Sequence, residues 1–334
     1  MTRDQIILGL QRDYALRREE NHRLFEQRCA DACSQCPGLS DLLSARKEAL
    51  MAGIRHGITA IHKNPQINAT LSQTMALYNE KIAACLSSGG LSPLALQPEY
   101  TCSLCRDEGY IYEPTRHMCA CFETELNRRM LDALGLTGPR SQTFEAFDEK
   151  LFSQEPVAPH GVSQRQMMLL NRNIALEYAD TFPNTPIRDL LLIGQSGLGK
   201  TYLLHSIAHR LVKRGFLPLY LSAYRLFEIA RKSYIDNDPE QMADIMDAPV
   251  LLLDDLGTEP LMNNITVTQL FALLNERQMA GLHTVISTNL TLTALKDRYT
   301  ERVTSRLLDS RDCKQLNFMG EDIRKSLGKV GGRP

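Results

Sequence analysis

The stretch "LLLIGQSGLGKT", residues 190–201, decides how the rest of the chain is read. Four apolar residues suited to a buried strand run into glycines at 194, 197 and 199, and Lys200 and Thr201 then open an amphipathic segment. This fits G-x-x-x-x-G-K-[ST] in its required context, after a strand and at the start of a helix. The glycines let the backbone turn tightly, so that successive N–H groups point at phosphate oxygens, and the helix start adds its positive dipole end. The residues expected to cradle a nucleotide are Gly194, Gln195, Ser196, Gly197, Leu198, Gly199, Lys200, Thr201 and Tyr202. Lys200 is expected to reach the β- and γ-phosphates and Thr201 to ligate Mg²⁺, which makes ATP and Mg²⁺ the implied cofactors.

Around this loop, apolar β-like runs alternate with amphipathic helical stretches: "DLLLIG", "LPLYLS", "PVLLLDD", "HTVISTN" and "KQLNFM". That alternation predicts an α/β fold with a parallel sheet and covering helices. About fifty residues beyond the loop, "PVLLLDDLG" (249–257) delivers carboxylates at the end of a buried strand, where α/β sheets build their sites. Asp254 is expected to hold Mg²⁺ through water, and Asp255 to orient or deprotonate the attacking water. Asn289 ends the next strand, where its amide can bond that water or the γ-phosphate. In "ERVTSRLLDSR", Arg302 and Arg306 share a helical face four residues apart, and either can stabilise phosphoryl transfer across a subunit interface.

This constellation resembles the AAA+ P-loop ATPases, and among them the bacterial replicative helicase loaders of the DnaC/DnaI type with their IstB-like relatives. The resemblance rests on "GQSGLGKT", "LLLDDLG", "STN", "ERVTSRL" and "GEDIR", with "TFEAFDEKLF" as lead-in, and covers about residues 140–326. It implies a parallel sheet of order 5-1-4-3-2, Arg306 as the first arginine-finger candidate with Arg302 second, and Arg324 near the nucleotide. Because the sequence stops soon after Arg324, the helical lid of many AAA+ proteins is expected to be missing. The resemblance also implies single-stranded DNA contact from "AYRLFEIARKSYIDND", where Tyr224, Arg225, Phe227, Arg231 and Lys232 mix aromatics for base stacking with cations for phosphates.

Upstream, residues 1–95 read as a polar helical region, ending in the linker-like "SSGGLSPLALQPEY". Residues 96–140 hold a cysteine module and a linker helix, and residues 141–334 the ATPase domain. In "CSLCRDEGYIYEPTRHMCAC", Cys102-x₂-Cys105 and Cys119-x-Cys121 are two close thiol pairs that a turn around "YIY" can bring together. Four such sulfurs make a tetrahedral zinc site, with His117 as a possible substitute ligand. The resemblance to helicase loaders implies such a zinc module as well. A second cysteine pattern, Cys29-x₃-Cys33-x₂-Cys36, has the spacing of radical iron–sulfur enzymes. Those enzymes place it after a strand, whereas here a charged helical stretch precedes it, so the three read as ordinary thiols.

Lys and Arg number 38 against 39 Asp and Glu, so nucleic-acid contact requires a local patch and not a global field. No apolar run approaches bilayer length and the N-terminus is too charged for a secretory signal, which predicts a cytoplasmic chain that makes no membrane contact. The expected function is ATP-dependent loading of a hexameric replicative DNA helicase onto single-stranded DNA, with self-association through AAA+ interfaces. The alternatives are an IstB-type ATPase helper of a transposase, and a nucleotide-switched, zinc-containing scaffold with little turnover.

Overall fold

Strands that are apolar on both faces need cover on both sides, and the sequence supplies five such runs. The structure is a computed structural model that describes residues 2–59, 66–136, 142–157, 161–236, 240–262 and 265–325. It divides into two units, one of Ile7–Thr124 and one of Met1–Ile6 with Glu125–Pro334. The junction expected at residues 140 and 141 lies outside the described residues.

In the first unit, α1 (Arg3–Gln35) stops at Pro37 and Gly38, and α2 (Leu39–Thr59) and α3 (Gln66–Ser88) pack along each other. Gly38 takes φ 85°, a left-handed value that only glycine adopts without penalty. Cys36 is buried with Ala32, Leu39, Ile82 and Leu86, so it serves as a small apolar core residue. Cys29 and Cys33 lie on α1, with no strand before them among the described residues. The cysteine module follows as a short antiparallel hairpin, β1 (Tyr110–Ile111) with β2 (His117–Met118), leading into α4 (Ala120–Ala133). Gly135 at φ 68° ends α4, and Leu136 N–H caps Leu131 C=O at 2.9 Å.

The second unit continues through a hairpin, β3 (Pro156–Val157) with β4 (Val162–Ser163), into α5 (Gln164–Thr181). Ser163 and Gln166 form a reciprocal capping box that fixes the start of α5. Then come β5 (Asp189–Ile193), α6 (Lys200–Lys213), β6 (Leu219–Ser222), α7 (Ala223–Asp236) and α8 (Glu240–Asp247). They are followed by β7 (Val250–Leu256), α9 (Thr266–Met279), β8 (His283–Thr288), α10 (Leu292–Leu307) and β9 (Cys313–Asn317).

The five long strands form one parallel sheet of order β6-β7-β8-β5-β9, which is 2-3-4-1-5 counted along the chain, the 5-1-4-3-2 order that the resemblance implied. Alternation along each strand divides the core in two. Leu190, Leu192, Val250 and Leu252 face the cluster containing α5 and α6 residues. Leu191, Ile193, Leu251 and Leu253 face the cluster built from α7 to α10. Arg277 on α9 is fully buried, and its guanidinium caps the last carbonyls of α8 (Ile245 at 2.9 Å, Met246 at 3.1 Å). Burial lowers its pKa to about 10, so it keeps its charge at neutral pH. Among the described residues no helix is long and apolar enough to cross a membrane.

Candidate functional site

Strand β5 sits between β8 and β9, so the loop leaving its C-terminal end opens beside the ends of β8 and β7. That adjacency brings together residues far apart in sequence. Lys200 is buried at the start of α6, and its ammonium donates to Gly194 O at 2.6 Å, Gln195 O at 2.7 Å and Asn289 Oδ1 at 2.7 Å. Burial pushes its pKa down from the usual lysine value. Gly197 and Gly199 take φ 80° and 95°, the left-handed backbone that turns the loop's N–H groups inward. Leu198 points its side chain into the core, so only its backbone is available to a ligand.

On β7 the pairing with β8 shifts between Leu253 and Leu256, so that one extra residue is accommodated at the acidic pair. Such a bulge re-aims side chains at the end of a strand. Asp255 adopts φ 57° there, unusual for a side-chain-bearing residue but tolerated by Asp. Asp254 is buried and held on both oxygens. Its Oδ1 accepts from the Thr201 hydroxyl at 3.2 Å and from the Ser287 hydroxyl, while its Oδ2 accepts from Tyr220 at 2.8 Å. Asp255 N–H donates to Ser287 Oγ at 2.9 Å, and Asn289 Nδ2 reaches Asp255 Oδ1 at 3.3 Å. Burial, and then the charge of Asp254, raise the pKa of Asp255, as suits a group that accepts a proton.

A cavity of about 520 Å³ opens beside this cluster, lined by Lys200, Thr201, Asp255 and Asn289 and by the apolar Leu151 and Ile323. Its volume and mixed lining suit a nucleotide-sized ligand. Tyr202 also lines it and is fixed by donation of its hydroxyl to Thr143 O at 2.8 Å. Beyond β9 the chain folds back over the loop. Ile323 N–H donates to Gly197 O at 3.0 Å, and Arg324 donates to Ser196 Oγ at 3.0 Å. A Cβ on Gly197 would meet Asp322 Oδ1 at 2.0 Å, so a side chain there would displace the Asp322 carboxylate, and the left-handed φ of 80° disfavours one in any case.

Tyr220, Ser287 and Asp322 do not stand out in the sequence as members of the site, whereas Arg324, which the resemblance placed near the nucleotide, lines the cavity. Ser287 was within its reach, because residues two apart on a strand share a face and Asn289 already marks that face. Tyr220 had no such signal. It contacts Asp254 only because β6 pairs with β7, and its hydroxyl is shared with His205 Nε2 at 3.0 Å. If Asp254 holds Mg²⁺ through water as expected from the sequence, removing that hydroxyl by Tyr220→Phe should raise the Mg²⁺ concentration for half-maximal turnover about tenfold, the scale on which losing an outer partner of a metal site is felt. Nucleotide affinity measured without Mg²⁺ should stay unchanged, and a loss there instead would refute this role.

Arg302 and Arg306 are exposed on the last part of α10 and do not line the cavity of their own chain. Among the described residues neither guanidinium has a hydrogen-bond or ion-pair partner. On α7, Tyr224, Arg225, Arg231 and Lys232 are exposed, and Arg225 pairs with Glu228 at 2.9 Å. Phe227 corrects the expectation of base stacking. It is 1% exposed and packs in the core with Leu226 and Ala230, because positions 223, 226, 227 and 230 form the inward stripe of α7.

In the first unit the sulfurs of Cys102, Cys105, Cys119 and Cys121 all lie within 4.8 Å of one another. Cys102–Cys119 and Cys105–Cys121 are 3.9 and 3.5 Å apart. A tetrahedral site with Zn–S bonds of about 2.3 Å has edges of about 3.8 Å, so the four thiols fit the metal. Outer partners are present too: Gly109 N–H points at Cys105 Sγ (3.4 Å) and the Tyr14 hydroxyl at Cys121 Sγ (3.3 Å). The backbone N–H of Cys105 draws the Cys102 thiol down to about 7, towards the thiolate a metal needs. His117 stays outside the cluster, exposed and bonded through Nδ1 to Thr115 O at 2.8 Å. The buried Asp107 carboxylate fastens the module by accepting from Thr101 N, Cys102 N and Asn21 Nδ2 on α1, all within 2.9 Å.

Fold and site together define an α/β P-loop nucleotide-binding protein of AAA+ architecture. The family of IstB-like ATP-binding proteins matches residues 142–328, more than half of the chain, and the chain belongs to that family. An insertion sequence IS21-like ATP-binding protein of Bacteroides fragilis (strain YCH46) is 27% identical over 209 residues, 61% of this chain and 96% of that protein. The replicative helicase loader DnaI of Bacillus subtilis (strain 168) is 27% identical over 114 residues, which span 34% of this chain but only 37% of DnaI. Among solved structures, the DnaC helicase loader shares 23% identity at a TM-score of 0.39, over 45% of this chain and 91% of that one. DnaI shares 23% identity at a TM-score of 0.42, over 52% of this chain and 95% of that one.

Proposed function

We propose that this chain is an ATP-dependent loader that delivers a ring-shaped hexameric replicative helicase to single-stranded DNA. The observation that carries this reading is the Ile7–Thr124 unit, which lies ahead of the family match at 142–328. The IS21-like relative is spanned at 96% by its 209-residue match, so it has almost no length left for a counterpart of that unit. An added helical unit with its own metal-ready module suits a grip on a protein client. We assign residues 1–95 to that grip, 96–140 to the zinc module and its linker helix, and 141–334 to the ATPase.

In this reading ATP lies against residues 194–201, with Lys200 on its β- and γ-phosphates and Mg²⁺ held by Thr201 and, through water, by Asp254. Asp255 takes the proton of the attacking water, and Asn289 orients that water from the neighbouring strand. Arg306, with Arg302 beside it, reaches the nucleotide of an adjacent copy, which is supported by their exposure and by their absence from the lining of their own chain's nucleotide-sized cavity. Single-stranded DNA contact falls to Tyr224, Arg225, Arg231 and Lys232 once Phe227 is removed from the set.

The test is co-elution, with ATP present, of the full chain and the replicative helicase of its own cell, beside a truncation lacking residues 1–140. Binding by the full chain alone is the expected result. If neither binds, the client is different, and the 209-residue match to an IS21-like protein makes a transposase the next partner to try. Nucleotide binding without turnover, with or without single-stranded DNA, would indicate a switched scaffold instead.

A further inference from the structure

The loop that leaves β7 and the helix that carries Arg302 and Arg306 meet at one buried carboxylate. Glu259 lies four residues beyond Asp255, and its side chain is 0% exposed. Its carboxylate accepts the Gly257 N–H at 2.9 Å, the Tyr299 hydroxyl, and the Arg298 guanidinium at 3.4 Å, while Arg298 also donates to the Glu259 carbonyl. One side chain therefore ties the turn after the acidic pair to two consecutive residues of α10. Burial, and then the bond to Glu259, raise the pKa of Tyr299, so its hydroxyl stays a donor across the working pH range.

The backbone just beyond Tyr299 gives the contact a direction. Thr300 takes φ 71° and ψ 163°, which breaks α10 between the part bonded to Glu259 and the turn bearing the arginines. A β-branched residue holds such a backbone only where its surroundings fix it from both sides. On one side stand the bonds of Arg298 and Tyr299 to Glu259. On the other, Thr304 Oγ1 donates to Thr300 O at 3.0 Å, and Val303 and Leu307 are buried. The break sets the direction in which Arg302 and Arg306 project, and Glu259 anchors the break to the turn that follows β7, the strand that carries Asp254 and Asp255.

We infer that Glu259, through Tyr299 and Arg298, is a positioning residue that aims Arg302 and Arg306 at the nucleotide of an adjacent copy. The inference rests on the proposed donation of those arginines across an interface. An error of about 1 Å in placing such a group costs up to about a hundredfold in rate, so the anchor matters although it touches no substrate.

Mixed assemblies of full-length chains test it. Chains carrying Asp255→Asn cannot hydrolyse but can donate arginines, and chains carrying Arg302→Ala with Arg306→Ala have intact pockets but nothing to donate. Mixing the two should restore turnover that neither shows alone. Adding Tyr299→Phe, or in a second series Glu259→Gln, to the Asp255→Asn chain should lower the restored rate at least about tenfold. The same change in the arginine-less chain should produce no comparable loss, and adding Tyr299→Phe or Glu259→Gln should leave the nucleotide affinity of the chain that receives it as it was before the addition. No recovery in the starting mixture removes the arginine reading and this inference with it. Recovery that survives both changes in the donor overturns the inference alone. So does an equal loss whichever chain carries Tyr299→Phe, since that is the signature of a general structural role.

Discussion

Replacing Lys200 with alanine is expected to lower ATP turnover at least about a hundredfold, the scale on which losing one preorganised donor to developing charge is felt. In the structure its ammonium is not idle. It spans Gly194 O, Gln195 O and Asn289 Oδ1, all within 2.7 Å, and so links the phosphate loop after β5 to the residue that follows β8. Nucleotide phosphates offer better acceptors for a cation than two carbonyls and an amide, so binding should draw the ammonium inward. Burial makes the exchange more favourable, because a desolvated cation gains more from an anion than a hydrated one does. Turnover and fluorescent-nucleotide binding are the measurements, with the melting temperature of the unliganded chain as control. Turnover within about threefold of the parent chain would show that the site does not work as described.

Removing the metal should act on the other unit. The cysteine module has two strands of two residues each, too little structure to persist without a cross-link. Structural zinc supplies roughly 10–16 kcal/mol in small peptides of this kind. A chelator, or Cys119→Ser, is therefore expected to abolish amide protection across residues 101–122 while leaving nucleotide affinity intact. Tyr14 and Asn21 on α1 should lose protection with it, since they bond Cys121 and Asp107. Metal analysis should return one zinc per chain. Zinc-free protein with the same protection pattern would sink the assignment.

Motifs with local geometry were legible in the sequence, because their chemistry is set by near neighbours. A glycine-rich turn between a strand and a helix has the local geometry of a phosphate cradle, and two close thiol pairs joined by a short hairpin can meet as one four-sulfur cluster. Asp254 was likewise legible as an acid at the end of a buried run. Phe227 departs from expectation for a reason that can be named. Composition places aromatics and cations together, but the positions 223, 226, 227 and 230 divide them into a buried stripe and an exposed face. The periodicity is present in the sequence, where composition outweighs it.

By itself the sequence determined the nucleotide-binding loop, the metal-ready thiols and the alternation that demands a doubly covered sheet. The resemblance added the strand order, which the structure reproduces. Only the tertiary structure decided which groups hold the named residues in place. Tyr220 meets Asp254 because two strands 34 residues apart pair in register. Glu259 meets Tyr299 across 40 residues because α9 and β8 return the chain to the same end of the sheet. Contacts of that length depend on strand order and helix packing, and no periodicity along the chain records them.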